Sequence, residues 1–331
     1  MRARAPASAA NLGPGFDALA LAVDRYVEVE VEPAARLIVR SEGEGAGMSD
    51  DAGHLAARVA MDVVGHDRLA ITVRSQVPVA RGLGSSAALA AAAAAAAGSR
   101  DPLAVAAHVD GHPENAAASV VGGLVVAGMV RGAVRVAKMP IDPALVLVAV
   151  VPERSLPTAK ARQVLPAQVS REAAAFNLGR LGMLLAGLAD HRVLVREAAE
   201  DRLHQDYRSP LFPEAPMLLS SLLGGGARAV CWSGAGPTLL GICTRTEAPA
   251  VRRAAREGLV EASVPGEVLV LHPDRIGLVT GDEARLENVE IAETMTDAEV
   301  RSEGGQGESP GTEPGGDRRV FDFDAWRAAD R

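Results

Sequence analysis

The chain is poor in aromatic residues: its 331 residues include two Trp, two Tyr and five Phe, although 48% are hydrophobic. A core of this composition has to be built from Ala, Val and Leu, and the length is enough for two domains. Lysine is also scarce, because only Lys138 and Lys160 occur and neither follows a glycine. This excludes the phosphate-binding motif G-x-x-x-x-G-K-[ST], in which a glycine precedes the lysine.

Long apolar segments and a basic excess are absent as well. No run of about 18 apolar residues offers a membrane span, and residues 1–17 lack the apolar stretch of a signal peptide. The formal charge of −8 lies in residues 282–331, which carry 14 acidic and six basic side chains, so the remainder is balanced. Without a basic stripe, nucleic-acid binding is not expected. We therefore expect a soluble, cytoplasmic protein that binds neither nucleic acid nor membrane.

Cysteine is the third scarce residue. The two that occur, Cys231 and Cys243, flank a glycine-containing turn. Two free thiols in a reducing compartment are the favoured interpretation, and a disulfide between them is the alternative.

Apolar and polar residues follow patterns typical of both strands and helices. Strands are predicted at 21–40, 69–76, 145–152 and 266–274, with a hairpin of buried strands at 119–139 and a strand–turn–strand unit at 227–243. Helices are predicted at 87–97, 103–111, 170–189, 191–204, 214–223 and 251–262. Because these elements intermix without strict βαβ alternation, we expect an α+β fold rather than a doubly wound sheet.

The composition changes from about Asp282 onward. Residues 303–317 are mostly Gly, Pro and acidic residues with almost nothing to bury, so we expect this stretch to be disordered. Residues 318–331, RRVFDFDAWRAADR, contain three aromatic residues. We interpret this end as a frayed terminus, and a docking segment for a partner or for the body of the protein is the alternative.

Residues 78–97, PVARGLGSSAALAAAAAAAA, place two glycines and two serines directly before an alanine-rich helix. Glycine lets backbone amides approach a ligand closely, and the start of a helix carries unpaired N–H groups and a partial positive charge. The stretch therefore predicts a phosphate-binding loop. Two alternatives remain: a dinucleotide site of the pattern G-x-G-x-x-[GA], disfavoured because VPVAR separates the glycines from the preceding strand, and a tight turn without a ligand.

Two further glycine-rich segments, SAANLGPGFDAL (8–19) and SGAGPT (233–238), flank P-x-x-x-G-L-G-S-S-A (78–87) along the chain. With these three motifs in this order, the sequence resembles the GHMP kinases, which include galactokinase, homoserine kinase and mevalonate kinase. Residues 111–126, 156–166 and 204–216 narrow the resemblance to the homoserine kinase family. It covers residues 5 to about 281, and the tail has no counterpart.

The resemblance implies the two-domain GHMP kinase fold, with the active site in the cleft between an ATP-binding domain (1–150) and a C-terminal domain (151–281), followed by the acidic tail (282–331). It implies ATP and Mg²⁺ as cofactors, with Mg²⁺ held by Ser86 and Asp110. The residues implied for the nucleotide are Pro78, Arg81, Gly82, Leu83, Gly84, Ser85, Ser86 and Ala87. The residues implied for catalysis are Asn11, Ser86, Asp110, Thr158 and Arg162.

A free amino acid as the acceptor needs an acid for its ammonium and a guanidinium for its carboxylate. The resemblance gives these roles to Asp17 and to Arg162 and Arg208, and it implies L-homoserine as the substrate. The other residues implied near the substrate are Asn11, His112, Asn115 and Gly234. Considered singly, each arginine would be a solvated surface charge, Asp17 a turn cap and His112 a loop residue. No residue is a convincing general base.

Two segments depart from the family pattern, and the smaller departure is Pro157, which stands before Thr158 where the family usually has Ser. The family's E-G-H-P-D-N is here Asp110-Gly-His-Pro-Glu114-Asn, so the two acids have exchanged lengths. Since Asp110 is one methylene shorter, we expect weakened rather than abolished metal binding. The main expectation is an ATP-dependent kinase that makes O-phospho-L-homoserine for threonine biosynthesis. The alternatives are a GHMP kinase for another small alcohol and a non-catalytic binding protein. A homodimer is compatible with each of these functions, and the sequence does not determine the oligomeric state.

Overall fold

The computed structural model describes residues 1–284; the disorder predicted at 303–317 and the aromatic end at 318–331 lie outside this range. The strands, β1 to β11 in chain order, are Arg2–Ala10, Leu19–Pro33, Ile38–Gly43, Leu69–Ser75, Leu124–Val130, Ala133–Met139, Leu145–Pro152, Ala229–Trp232, Leu239–Thr244, Gly266–Leu271 and Val279–Thr280. The helices, α1 to α9, are Leu55–Val64, Ser85–Ala96, Pro102–Asp110, Pro113–Val121, Thr158–Gln163, Arg171–Ala189, Gln205–Arg208, Ala215–Gly224 and Ala248–Glu261. Short 3-10 helices cover His191–Val193, Arg196–Ala199, Ser209–Leu211 and Gly281–Ala284.

The strands form two sheets. Seven strands make the first, in the order β11-β1-β2-β4-β3, with β5 beside β2 and β6 beside β5. Four strands make the second, in the order β10-β7-β9-β8. Only β3 and β4 pair in parallel among the described strands. The mixed architecture confirms the α+β prediction. The domain boundary expected at residue 150 lies within β7, and that division of the chain stays a prediction.

The alanine-rich helix α2 runs through the largest cluster of buried apolar residues. Nine of its twelve residues are buried alanines, and it contacts both β1 and β2. Because alanine carries only a Cβ, neighbouring elements can approach the helix closely, which makes a core without aromatics workable. The same cluster includes Leu147 and Ala149 from one face of β7, while Val146 and Val148 from its other face pack in a second cluster with residues of α8 and α9. Burial on both faces explains the continuous apolar run at 145–152.

Most predicted elements are confirmed. These are β4, β7 and β10, the strand–turn–strand unit formed by β8 and β9, and the helices α2, α3, α6, α8 and α9. The single strand predicted at 21–40 is two strands, β2 and β3, because residues 34–37 are not extended. Six elements were not predicted: β1, β11, α1, α4, α5 and α7. Proline stands inside β1 and at the start of α4. Such prolines interrupt the periodic patterns that reveal strands and helices.

The helix predicted over 191–204 is wrong, because this segment forms two 3-10 turns and irregular backbone. The Asp201 carboxylate accepts hydrogen bonds from the amides of Leu203, His204 and Gln205. Aspartate side chains that bind nearby amides compete with helical hydrogen bonding.

The hairpin predicted at 119–139 is correct only in part. Residues 119–121 belong to α4, and the hairpin itself begins with β5. Strand β6 alternates between exposed and half-buried residues and is not the buried strand that was expected.

None of the helices within residues 1–284 has the length and apolar character needed to span a bilayer. Cys231 and Cys243 are buried free thiols, as the sequence favoured. Burial raises the pKa of each thiol to about 12, so both are protonated at neutral pH.

Candidate active site

A cavity of about 240 Å³ lies where the start of α2, the turn between α3 and α4, and residues from the C-terminal half meet. Thirteen predicted site residues line it: Asn11, Asp17, Gly82, Gly84, Ser85, Ser86, Asp110, His112, Asn115, Thr158, Arg162, Arg208 and Gly234. Five further residues line it that were not assigned to the site: Ala10, Val79, Ala80, Glu114 and Ala235. Segments far apart in the chain therefore converge on one cavity.

Two glycines of the predicted phosphate loop lie at its contacts with the other two glycine-rich motifs. Gly82 has φ +81°, and a Cβ there would lie 2.3 Å from the Ser233 carbonyl oxygen. Gly84 has φ +66°, and a Cβ there would lie 2.0 Å from Ser8 Oγ. Gly84 is also the N-cap of α2, and no side chain caps the amides that follow it. Uncapped amides at the positive end of a helix can bind an anion.

Four residues assigned to the nucleotide do not line the cavity but support the loop. Leu83 and Ala87 are fully buried in the core, and Pro78 is buried as well. The carbonyl oxygen of Arg81 accepts a hydrogen bond of 3.2 Å from the Thr238 amide, which fixes the loop against the third motif. Their predicted contact with nucleotide stays a prediction.

Residues 11–18, which we name the acceptor loop, are held in place by Asn11. This residue has a left-handed backbone with φ +69°, and its Nδ2 donates to the Gly234 carbonyl oxygen at 2.9 Å. Its Oδ1 accepts a hydrogen bond of 3.0 Å from the Asp17 amide. Asn11 therefore connects the first and third motifs and sets the position of Asp17 at the cavity.

A chain of polar contacts crosses the cavity from Asp17 to Asp110. Arg162 donates from Nη2 to Asp17 Oδ1 at 2.6 Å and from Nε to His112 Nε2 at 2.9 Å. His112 Nδ1 lies 3.5 Å from Asp110 Oδ2. The Asp110 carboxylate raises the pKa of His112, while burial and the charge of Arg162 act in the opposite direction. One line of contacts thus joins two carboxylates, an imidazole and a guanidinium.

The second arginine of the site, Arg208, is only 2% exposed. Its hydrogen bonds within residues 1–284 all go to uncharged acceptors: Nη1 to His204 Nδ1 at 2.9 Å and to the Gly234 carbonyl at 2.8 Å, and Nε to the Ala161 carbonyl at 3.4 Å. Burial, and then the nearby charge of Arg162, lower the pKa of Arg208 to about 10. The side chain is therefore a buried cation at neutral pH, and its charge is suited to an anionic group of a ligand.

Glu114, which the sequence analysis did not place in the site, is 1% exposed and lines the cavity. Its Oε1 accepts a hydrogen bond of 3.2 Å from Asn115 Nδ2, while Oε2 has no hydrogen-bond partner among the described residues. The Oδ1 atom of Asn115 in turn accepts from Ser8 Oγ at 2.9 Å. Burial raises the pKa of Glu114 to about 7, so the carboxyl group is partly protonated at neutral pH.

Sequence reasoning also missed the residues beneath Arg208. His204 is fully buried, and its ring stacks on Phe16 of the acceptor loop with 5.1 Å between ring centroids. The spacing of His204 and Arg208, four residues apart at the short helix α7, is a signal that could have indicated their contact. The stacking on Phe16 joins segments almost two hundred residues apart and left no local signal.

The chain matches the family model "GHMP kinases N terminal domain" over residues 51–123 and "GHMP kinases C terminal" over 175–261. It is 40% identical to a homoserine kinase of Streptomyces avermitilis over 276 residues, covering 78% of this chain and 90% of the relative. A homoserine kinase of Mycolicibacterium vanbaalenii is 41% identical over 267 residues, covering 74% of this chain and 85% of the relative. The crystal structure of homoserine kinase from Cytophaga hutchinsonii superposes with a TM-score of 0.74 at 25% identity, covering 84% of this chain and 96% of the solved chain.

Proposed function

The chain belongs to the homoserine kinases of the GHMP kinase superfamily, and we propose that the residues of its cavity transfer the terminal phosphoryl group of ATP to the side-chain hydroxyl of L-homoserine. The product would be O-phospho-L-homoserine, an intermediate of threonine biosynthesis. A cytoplasmic location and a homodimer stay predictions.

One observation carries the proposal: opposite charges suited to a free amino acid line the same cavity as the start of α2. Arg208 is a buried cation held by uncharged acceptors, and Arg162 and Asp17 face each other at 2.6 Å. A zwitterionic amino acid presents a carboxylate for the guanidiniums and an ammonium for Asp17. An uncharged sugar has no group to match these charges.

Phosphoryl transfer depends mainly on positioning and on electrostatic stabilisation, with little covalent chemistry for the protein. We assign the backbone amides at Gly84, Ser85 and Ser86 to the ATP phosphates, since the start of α2 favours an anion. The acceptor loop would orient the amino acid through Asp17, whose position Asn11 sets. Bringing the hydroxyl and the phosphate together in this way accounts for much of the expected rate.

The residues present also fit Mg²⁺, which prefers oxygen ligands. Ser86 and Asp110 line the same cavity with a hydroxyl and a carboxylate, and Glu114 adds a buried carboxyl oxygen without a hydrogen-bond partner in the described part of the chain. We propose that Ser86 and Asp110 hold the ion. When bound, Mg²⁺ neutralises charge on the ATP phosphates.

The test is coupled ADP release by the purified protein with ATP, Mg²⁺ and L-homoserine. L-serine, L-threonine, mevalonate and galactose serve as comparison acceptors. We expect release with L-homoserine at a rate within about 1–100 s⁻¹ and far less with the others. Preference for mevalonate or galactose would indicate another GHMP activity, and ATP binding without release for any acceptor would indicate a binding protein.

A further inference from the structure

His204 does not line the cavity, yet it contacts both the acceptor loop and Arg208. We infer that His204 is a positioning residue: it holds the Arg208 guanidinium in the orientation that receives the substrate carboxylate and ties it to the acceptor loop. This inference rests on the proposed function, because it assumes that Arg208 binds the carboxylate of an amino acid.

The two ring nitrogens of His204 have different partners, and these partners define its protonation. Nε2 lies 2.8 Å from the Gly13 carbonyl oxygen, which can only accept, so Nε2 carries the proton. Nδ1 lies 2.9 Å from Arg208 Nη1, which can only donate, so Nδ1 is unprotonated. The Asp201 Oδ2 atom lies 3.6 Å from Nε2 and favours the charged ring, but burial outweighs it and lowers the pKa of His204 to about 4, consistent with this neutral tautomer at neutral pH. A proton on Nδ1 would face another donor and break the contact.

The surroundings of His204 leave it little freedom to move. Its ring stacks on Phe16 at an interplanar angle of 22°, and the Arg208 guanidinium lies 5.6 Å from the centre of the same Phe16 ring. Asp201 accepts a hydrogen bond of 2.8 Å from the His204 amide. Gly13 is pressed against the segment before His204, where a Cβ would lie 2.2 Å from the Ala199 carbonyl oxygen. The imidazole is therefore a rigid link between the loop and the arginine.

Within residues 1–284, His204 supplies the one side-chain acceptor that Arg208 uses; its other two acceptors are the backbone carbonyls of Gly234 and Ala161. An uncharged imidazole directs the guanidinium without neutralising it. The positive charge therefore remains for a carboxylate, and the planar fork keeps the orientation that a carboxylate needs.

Two substitutions separate the two contacts of the ring. In His204→Asn, the amide oxygen can replace Nδ1 and still accept from Arg208, while the reach to Gly13 is lost. In His204→Gln, the longer side chain can still reach the Gly13 carbonyl, while the acceptor at the Nδ1 position is lost. We expect His204→Gln to lower kcat/KM for L-homoserine about tenfold to a hundredfold, through KM, with KM for ATP unchanged. His204→Asn should retain a KM for L-homoserine clearly closer to that of the wild type.

A matched control is His54→Gln, since His54 is also buried and caps helix α1 through its ring, outside the cavity. It should lower the melting temperature without changing KM for L-homoserine. Equal increases in KM for both His204 variants, or a parallel increase in KM for ATP, would overturn the positioning role in favour of a structural one. A wild-type protein that turns over ATP with another acceptor but not with L-homoserine would overturn both the proposed function and this inference.

A measurement on the unmodified protein does not depend on how the variants fold. Nitrogen-15 NMR of histidine-labelled protein should show His204 as the neutral tautomer protonated on Nε2 from pH 8 down to pH 5. A proton on Nδ1, or a charged ring, at pH 7 would contradict the inference.

Discussion

The two sides of the cavity are built in different ways. On the side proposed to bind the ATP phosphates (the phosphate side), one continuous stretch, residues 78–97, supplies both the glycine loop and the helix that begins after it. On the side proposed to bind the acceptor (the acceptor side), Asp17, Arg162 and Arg208 come from three segments, and Asp17 is well over a hundred residues from Arg162 along the chain. The phosphate side is made largely of backbone, whereas the acceptor side is made of charged side chains held by other side chains.

This difference implies different sensitivities to substitution. A backbone site depends on close approach, so any added side-chain atom disturbs it. A side-chain site depends on orientation, so a change of functional group should alter specificity before it alters the fold. The following predictions test this contrast.

The largest effect is expected from Gly82→Ala. The new Cβ would lie 2.3 Å from the Ser233 carbonyl oxygen and 2.9 Å from Gly236 N, and these backbone atoms cannot move aside cheaply. We expect a loss of about 3 kcal/mol or more in the free energy of unfolding, together with loss of activity. Gly98→Ala is the matched control: Gly98 has φ +90° but nothing within 4 Å of a Cβ, so it should lose only about 1–2 kcal/mol. Urea unfolding compares the two, and equal losses would disprove the close-approach argument.

Arg208→Met should affect the acceptor side alone. Removing the guanidinium leaves the substrate carboxylate without its buried cation, so kcat/KM for L-homoserine should fall about a hundredfold or more. KM for ATP should change less than about twofold, because the start of α2 is untouched. Steady-state kinetics with each substrate varied makes the measurement, and exposed Arg192→Met, whose side chain pairs with Asp190, is the control. A parallel increase in both KM values would remove the distinction between the two sides.

Ser86→Ala should weaken the proposed metal site without disturbing α2, since alanine suits a helix. We expect the Mg²⁺ concentration for half-maximal activity to rise about tenfold or more, since mutating residues that only support a metal ligand already weakens metal binding about tenfold to a hundredfold. Electron paramagnetic resonance of Mn²⁺ with ATP would report the same weakening independently of turnover. Ser85→Ala should raise this Mg²⁺ concentration less than Ser86→Ala does. A larger rise for Ser85→Ala would assign the metal to Ser85 instead of Ser86.

Glu114→Gln should change stability only within a defined pH range. Burial raises the pKa of Glu114 from 4.5 to about 7, so the native state binds more protons than the unfolded state between these values. The wild type therefore loses stability relative to the variant as pH rises through this window, by up to about 3 kcal/mol. Thermal unfolding at pH 5 and pH 8 should show the variant as more stable mainly at pH 8. Glu197 is exposed, so Glu197→Gln should show no such difference between the two pH values. An equal gain in stability of Glu114→Gln at pH 5 and pH 8 would contradict the raised pKa of the buried Glu114 carboxyl.

Sequence patterns predicted most elements whose formation is local. The alanine run of α2 and the apolar strand at 145–152 are examples, because composition and burial agree over their whole length. The helix predicted over 191–204 was wrong for the opposite reason: its apolar residues suggest a helix, but the Asp190 and Asp201 carboxylates accept hydrogen bonds from backbone amides at its two ends. Helix α4 was missed because its pattern is short and its first residue is proline.

For the site, the sequence by itself determined the glycine loop before α2, and its resemblance to the homoserine kinases pointed to the acceptor loop and to the segments that hold Arg162 and Arg208; all of them line one cavity. The glycine loop was visible because glycine spacing is a property of the chain itself, whereas the charged residues taken singly gave no such signal. Only the tertiary structure decided how their side chains are partnered. His204 beneath Arg208 and the unpartnered Glu114 Oε2 arise from contacts between distant segments, and burial rather than residue type sets their charge.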